Sequence, residues 1–153
     1  MSDPLYRKEL LRLAGDACGA GRLNAPDTTG HAFNPACGDR VSVQLELTEG
    51  RIAEFAHETR ACVLAQASAS ILGSALRNVT VHDVEKLRAA VSAMLESNLP
   101  PPPAPFDAYA AFEGAVEYRS RHRCVLLPIE AVLDALEQPS AKGNRGNWNA
   151  PVS

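Results

Sequence analysis

The hydrophobic pattern is most regular between residues 41 and 59, where it predicts a β-hairpin. From Val41 to Thr48 every second residue is apolar, which is typical of a strand with one buried face. Glu49-Gly50 supplies a two-residue turn, and Arg51 to Thr59 returns as a second alternating segment. We therefore predict antiparallel strands over 41–48 and 51–59, with His57 on the inward face of the second strand.

Helical spacing of apolar residues predicts helices on both sides of this hairpin. An N-terminal helix follows Asp3-Pro4 and ends among the glycines that begin at Gly15. Val63 to Arg77 consists of small and apolar residues with little polar face, which indicates a central helix packed on several sides. Thr80-Val81-His82-Asp83 resembles a capping box at the start of a further amphipathic helix. The pattern therefore predicts one β-hairpin together with several helices.

The last third of the chain is divided by prolines. Leu99 to Pro105 contains five prolines, which predict an extended connector that no helix crosses. A weaker, aromatic-bearing helix is expected over 106–118, and a last helix is expected to begin at Cys124 with Pro128 in its first turn. We predict one domain over 1–137 and a mobile tail over 138–153, which is rich in Gly, Asn, Ser and Pro.

Composition narrows the classes of function. The 153 residues are enough for one substantial core, and a formal net charge of −3 without a basic stripe argues against nucleic-acid binding. No apolar run approaches membrane-spanning length and no signal peptide is apparent, so we expect a soluble, cytoplasmic protein without a membrane partner. Four cysteines at wide, unequal separations are then better metal or redox ligands than a disulfide framework.

Three of these cysteines and one carboxylate form a candidate metal site. Cys37-Gly38-Asp39 precedes the hairpin, and the hairpin should bring Asp39 close to Cys62, just after its second strand. Cys62 and Cys124 are expected at helix N-termini, where backbone amides and the helix dipole favour thiolates. We predict that Cys37, Asp39, Cys62 and Cys124 form a tetrahedral site for a thiophilic metal, either zinc or an iron-sulfur cluster. The alternative is that each cysteine is simply a small buried hydrophobe.

The remaining polar residues give weaker predictions. Cys18, in a glycine-rich loop, is expected to be structural. His57 is expected to be a hydrogen-bonded core histidine, and His122 a solvated residue of a basic segment, with ligand or proton-carrier roles as the alternatives. The serines of the central helix have no Asp-His partner pattern, so a serine hydrolase has no support.

With these residues placed, the sequence resembles the IscU/NifU-N-terminal family of iron-sulfur cluster assembly scaffolds. The resemblance lies in four segments, Asn34-Pro35-Ala36-Cys37-Gly38-Asp39-Arg40, the Gly50 hairpin as far as Thr59, Cys62 to Ser70, and Arg121-His122-Arg123-Cys124-Val125-Leu126. The long segment between Cys62 and Cys124, and Arg123 immediately before Cys124, are similar to the SufU branch. Ala61 stands where the family has glycine, and His57 where it has an aromatic residue.

The resemblance implies a fold, a site and partners. It implies an α+β fold, with a small antiparallel sheet packed against several helices, in which Cys37, Asp39, Cys62 and Cys124 bind Zn²⁺ or a transient [2Fe–2S] cluster. It further implies that Cys124 accepts sulfur from a cysteine desulfurase of the SufS type, and that Arg121 helps to engage that sulfur. Iron-sulfur acceptor proteins would be the other partners.

Three functions remain open from the sequence. The leading one is a scaffold that receives sulfide and iron, assembles a cluster on three thiolates and Asp39, and passes it on. The second is a zinc-dependent sulfur-transfer partner of a cysteine desulfurase, which takes up sulfur at Cys124. The third is a structural zinc domain that binds other proteins through its surface.

Overall fold

The computed structural model describes residues 8–36 and 38–138. In chain order the elements are α1 (Lys8–Asp16), β1 (Thr28–Asn34), β2 (Asp39–Thr48), β3 (Arg51–Arg60), α2 (Val63–Ala75), α3 (Val81–Ser97), a 3₁₀ helix (Asp107–Ala115) and α4 (Arg119–Glu137). The three strands form one antiparallel sheet in the order β1-β2-β3, and the helices pack against it. The predicted α+β fold class is confirmed. Within the described residues, no helix is long and apolar enough to cross a membrane.

The predicted hairpin is present as β2 and β3. Glu49 and Gly50 form its turn with φ angles of 51° and 79°, and these positive values match the right-handed twist of a two-residue hairpin. The four apolar residues of β2 are between 0% and 1% exposed, namely Val41, Val43, Leu45 and Leu47. The alternation read from the sequence therefore identifies the core-facing side of the central strand.

The edge strand β1 was not predicted from the sequence. Its residues alternate only weakly in polarity, and Gly30 has no side chain to reveal a buried face. The structure shows why glycine is present, because a Cβ at Gly30 would overlap the backbone of Ala131 and Ala135 in α4. The amide of His31 donates a 2.8 Å hydrogen bond to Oδ2 of Asp134, so α4 also covers part of this sheet edge.

Helix α2 lies at the centre of the molecule, as predicted. Most of its residues are buried, and Gly73 allows the backbone of Cys18 and Gly19 to approach so closely that a Cβ would overlap it. The loop around Gly19 then pairs with β3 through bonds of 2.9 Å, from the amide of His57 to Gly19 and from the amide of Gly21 to His57. This loop fixes β3 relative to α2, and Cys62 lies between those two elements.

The predicted capping box at the start of α3 is present. The side chain of Thr80 accepts from the amide of Asp83, and the Asp83 carboxylate accepts from the amide of Thr80, both at 3.1 Å. These two bonds satisfy backbone donors that have no partner within the helix. The carboxylate is thereby stabilised, and the pKa of Asp83 is lowered mainly by its bond from the Thr80 amide.

The expected start of the last helix was wrong. Helix α4 begins at Arg119 rather than at Cys124, and Pro128 lies inside it instead of in its first turn. A proline destabilises a helix least in its first turn, which is why Pro128 predicted a helix start nearby. In the structure Pro128 is buried in the core, and the surrounding packing stabilises the helix on both sides of it. The predicted tail begins at Gln138, and its residues 139–153 lie outside the described part of the chain.

Candidate metal centre

Three of the four predicted ligands meet at one place in the structure. A carboxylate oxygen of Asp39 and the sulfur atoms of Cys62 and Cys124 all lie within 4.8 Å of one another. The three residues come from three elements, since Asp39 begins β2, Cys62 is the N-cap of α2 and Cys124 lies in α4. The fourth predicted ligand, Cys37, lies outside the described residues.

Asp39 is positioned by the turn that joins β1 to β2. The carbonyl of Asn34 accepts a 2.8 Å bond from the amide of Gly38, and its side-chain oxygen accepts a 3.1 Å bond from the amide of Ala36. Gly38 has a φ of 77°, a conformation that glycine adopts without strain. Nothing lies within 4 Å of a Cβ at Gly38, so this backbone angle, and not space, accounts for glycine between Cys37 and Asp39.

The hairpin brings Asp39 to Cys62, as predicted. Arg40 of β2 pairs with Arg60 of β3, so the residues just beyond this pair approach each other. The amide of Cys62 donates a 3.3 Å hydrogen bond to Oδ2 of Asp39, which is only 8% exposed. This bond orients the carboxylate beside the cysteine.

The thiol of Cys62 has a lowered pKa. Its pKa falls from the ordinary value of 9.0 to about 7, chiefly because its sulfur accepts a hydrogen bond from the thiol of Cys124. The amides of Ala65 and Leu64 in the first turn of α2 act in the same direction, whereas burial and the charge of Asp39 oppose it. The predicted helix N-terminus is present at Cys62, and the first turn of α2 favours the thiolate form of this residue.

Cys124 differs from Cys62 in both environment and exposure. It lies five residues into α4 and is 1% exposed, so the helix N-terminus argument does not apply to it. Arg121 lies one turn earlier on the same side of α4 and is half-buried. The role of Arg121 in engaging sulfur stays a prediction.

The donor set fits a thiophilic metal ion. Tetrahedral zinc with Zn–S bonds near 2.3 Å places neighbouring sulfur ligands roughly 3.8 Å apart. The three ligand atoms are within 4.8 Å of one another, so small side-chain adjustments are enough to form such a site. Two thiols and one carboxylate combine soft and hard donors, a mixture that suits zinc or iron. Cys62, Cys124 and Asp39 are thus the described residues that could hold the ion, and one further ligand would complete the tetrahedron.

The other candidate residues lie apart from this cluster and have structural contacts. His57 is 4% exposed, and its ring nitrogens contact the carbonyl of Cys18 at 3.0 Å and the hydroxyl of Thr59 at 2.9 Å. Burial lowers the pKa of His57. Cys18 is half-buried, and its amide donates to Ser70. Their hydrogen bonds join the loop before β1 to the sheet and to α2.

Hydrogen bonds of polar residues on both sides of Cys124 in the sequence of α4 were not predicted. Ser68 and Tyr109 are fully buried and hydrogen-bonded to each other, and His122, expected in solvent, bonds to the end of the 3₁₀ helix. The available signal was a serine and a tyrosine within otherwise apolar segments, since buried polar side chains normally require partners. Their pairing over 41 residues has no local sequence signature.

Comparison with known proteins gives concordant results. Residues 5–125 match the family model described as the NifU-like N terminal domain. The zinc-dependent sulfurtransferase SufU of Bacillus subtilis (strain 168) is 24% identical over 145 residues, which is 95% of each chain. The iron-sulfur cluster assembly scaffold protein IscU of Streptococcus pyogenes serotype M1 is 23% identical over 105 residues, covering 69% of this chain and 66% of that protein.

Solved structures support the same relationship. A nitrogen-fixing NifU-like protein (N-terminal) from Brucella abortus is 34% identical, with a TM-score of 0.83, 87% of this chain covered and 92% of that one. A putative iron-sulfur cluster assembly scaffold protein for the SUF system from Fervidobacterium islandicum AW-1 has the same fold, with a TM-score of 0.79 at 18% identity over 90% of this chain and all of that one. From its fold, its cysteine and aspartate cluster and this match over most of its length, the chain belongs to the NifU-like N-terminal domain family.

Proposed function

We propose that this protein is a zinc-dependent sulfur acceptor in iron-sulfur cluster assembly, and that a cysteine desulfurase of the SufS type supplies its sulfur. The single observation that carries the proposal is the meeting of Asp39, Cys62 and Cys124 within 4.8 Å. The sulfurtransferase relative supports the zinc form, because the similarity extends over 95% of both chains and includes the segment between Cys62 and Cys124. Iron-sulfur acceptor proteins would receive the cluster that this assembly produces.

The proposed site contains Cys37 together with the three residues that meet. When bound, Zn²⁺ would keep the coordinating thiols deprotonated near neutral pH. Asp39 adds a carboxylate that is oriented by the Cys62 amide. A cytoplasmic location remains our prediction, because the thiols need a reducing compartment to stay free.

Sulfur would be taken up by thiol–persulfide exchange at Cys124. The sulfur of Cys124 attacks the outer sulfur of the persulfide on the desulfurase cysteine, and a new S–S bond forms at Cys124 as the old one breaks. The desulfurase cysteine leaves as a thiolate, so no external oxidant or reductant is required.

The burial of Cys124 adds a condition to this step. At 1% exposure its sulfur cannot meet a partner's persulfide until docking moves the residues that cover it. Cys62 is the more exposed of the two described thiols in the centre. The acceptor therefore has to be identified by direct mapping.

The experiment is persulfide mapping after a single turnover with a cysteine desulfurase and cysteine. Mass spectrometry of the alkylated peptides should find the added sulfur on Cys124 in the wild type and no stable persulfide in Cys124→Ser. Cys18→Ser is the matched control and should accept sulfur normally, because Cys18 lies outside the centre. Added sulfur on Cys62 or Cys37 would overturn the assignment to Cys124, and no transfer to any cysteine would overturn the function.

A cluster scaffold is the second candidate, and the IscU relative together with the carboxylate favours it. A hard oxygen ligand among thiolates should make a bound cluster easier to release. If the protein is a scaffold, Asp39→Ala, reconstituted anaerobically with iron and sulfide, should retain its cluster several-fold longer than the wild type when an acceptor apoprotein is added. Equal transfer rates for the two proteins would count against the scaffold.

Metal analysis after anaerobic purification separates the candidate functions. One zinc per chain in colourless protein that stimulates a desulfurase supports the sulfur acceptor, whereas brown protein with iron and sulfide supports the scaffold. Zinc that stays bound, with no sulfur transferred to any cysteine, would instead indicate a structural zinc domain.

A further inference from the structure

We propose that the 3₁₀ helix Asp107–Ala115 positions the Cys124 thiol, and that Tyr109 and His122 are the positioning residues through which it acts. The inference rests on the proposed function, because it concerns the geometry of the same centre. It is carried by two separate hydrogen-bonded links that join this helix to α4, one on each side of Cys124 in the sequence.

The first link runs from Tyr109 through Ser68 to α4. The Tyr109 hydroxyl lies 2.7 Å from Oγ of Ser68, and that oxygen lies 2.8 Å from the carbonyl of Val125. A carbonyl only accepts, so Ser68 donates to Val125 and accepts from Tyr109. The link therefore connects the 3₁₀ helix, α2 and the residue that follows Cys124.

Tyr109 is fixed in a way that suits this role. It is fully buried and stacks on Phe112 with ring centroids 5.5 Å apart, so its ring has little freedom. Its hydroxyl also lies 3.4 Å from the Ser68 carbonyl. Burial raises the pKa of Tyr109, so the hydroxyl remains protonated and continues to donate at physiological pH.

The second link runs from His122 to the end of the 3₁₀ helix. Nε2 of His122 lies 3.1 Å from the carbonyl of Ala115 and 3.0 Å from that of Val116. Because both partners are carbonyls, Nε2 carries the hydrogen and donates to them. His122 precedes Cys124 by two residues, so this contact holds the helical turn that contains Cys124 from its other side.

The two links have a direct consequence for the metal centre. Ser68 lies in α2, whose N-cap is Cys62, so the Tyr109 link also sets α4 relative to the element that carries the second thiol. The distance between the two sulfur atoms thus depends on a helix that contributes no ligand among the described residues. Residues that orient metal ligands from outside typically change metal affinity by about 10–100-fold when they are removed.

The test compares Tyr109→Phe with the wild type and with Ser74→Ala. Tyr109→Phe removes only the hydroxyl that bonds to Ser68. Ser74→Ala removes a hydroxyl from α2, the helix that also contains Ser68, and this hydroxyl bonds only locally, to the carbonyl of Ile71. Zinc affinity is measured by competition with a chromophoric chelator. The ligand geometry is measured from the visible spectrum of the Co²⁺-loaded proteins, since Co²⁺ occupies tetrahedral zinc sites and absorbs visible light.

We expect Tyr109→Phe to bind zinc about tenfold more weakly than the wild type and to change the Co²⁺ spectrum. Ser74→Ala should match the wild type in both measurements. If Tyr109→Phe folds and shows wild-type affinity and spectrum, the positioning role is wrong, even if its melting temperature is lower. Failure of the wild type to bind zinc or Co²⁺ would instead overturn the proposed function.

His122→Ala tests the second link independently and replaces Tyr109→Phe if that variant does not fold. His122 is only half-buried, so its removal leaves no large cavity. Its zinc affinity should fall and its Co²⁺ spectrum should shift. His82→Ala, an exposed histidine in α3, is the control that should show neither change. Identical behaviour of the two histidine variants would overturn the proposal.

Discussion

At the scale of single residues, the chemistry of the centre follows from where each side chain lies. Asp39 and Cys62 meet because a hairpin register places them side by side, and the amide bond between them fixes the carboxylate. Both residues were predicted as ligands because the sequence shows the hairpin and the residue types at its ends. The Tyr109–Ser68 pair was not predicted, because a hydrogen bond between distant residues leaves no periodic pattern.

His57 gives a prediction of pH dependence. Burial lowers its pKa in the folded protein, so the unfolded chain binds more protons than the folded one just below pH 6.5. The stability that neutral His57 contributes is fully present above the pKa of this histidine in the unfolded chain. It is lost as the pH falls from that value towards the lower pKa of His57 in the folded protein. We expect urea unfolding to show decreasing stability from pH 7 to pH 5, with a smaller slope in His57→Gln.

The control for this prediction is His31→Gln. His31 is exposed on β1, and its side chain contacts only Ser42 among the described hydrogen bonds. Its substitution should leave the wild-type slope unchanged. A His57→Gln protein with the full wild-type slope would show that another group is responsible for the pH dependence.

At the scale of elements, local signals were enough for some parts of the fold and not for others. The hairpin turn and the Thr80 capping box depend on residues within a few positions of one another, and both were predicted. Strand β1 and the start of α4 depend on tertiary packing, in particular on the contact at Gly30 and on the burial of Pro128. Such packing overrides weak local preferences.

The contact between β1 and α4 gives a second prediction. Because a Cβ at Gly30 would overlap the α4 backbone, Gly30→Ala must move the helix or the strand. We expect a loss of about 1–3 kcal/mol in the free energy of unfolding, measured by urea denaturation of the metal-free protein. Since α4 also carries Cys124, zinc affinity should fall in the same variant.

Gly15→Ala is the matched control for Gly30→Ala. Gly15 lies in α1 with nothing within 4 Å of a Cβ, so alanine should be neutral there or stabilising by up to about 1 kcal/mol. If both substitutions have the same effect, the close approach of β1 to α4 does not limit stability.

At the scale of the whole molecule, the metal centre joins three parts of the fold. Its candidate ligands among the described residues come from the sheet, from the start of α2 and from α4, so binding an ion should stabilise their arrangement. The sequence predicted this convergence from residue types and from the family resemblance. It could not predict that the 3₁₀ helix would bond to α2 and α4 beside Cys124.

Removal of the metal should therefore lower thermal stability. Zinc at roughly 100 times its dissociation constant should stabilise the folded protein by about 2.7 kcal/mol, which corresponds to roughly 5–10 °C in Tm. Differential scanning calorimetry with zinc and with a chelator should show this difference in the wild type. Cys62→Ser should show a much smaller one, and an equal shift in Cys62→Ser would place the ion elsewhere.

X-ray absorption at the zinc edge of the zinc-loaded protein shows whether Cys62, Cys124 and Asp39 bind one metal ion. We expect a sulfur shell at about 2.3 Å together with a lighter oxygen ligand near 2.0 Å. The sulfur shell should lose amplitude in Cys62→Ser and again in Cys124→Ser, and the oxygen contribution should change in Asp39→Ala. A spectrum of nitrogen and oxygen ligands only, or one that none of these substitutions alters, would mean that these three residues do not bind the ion.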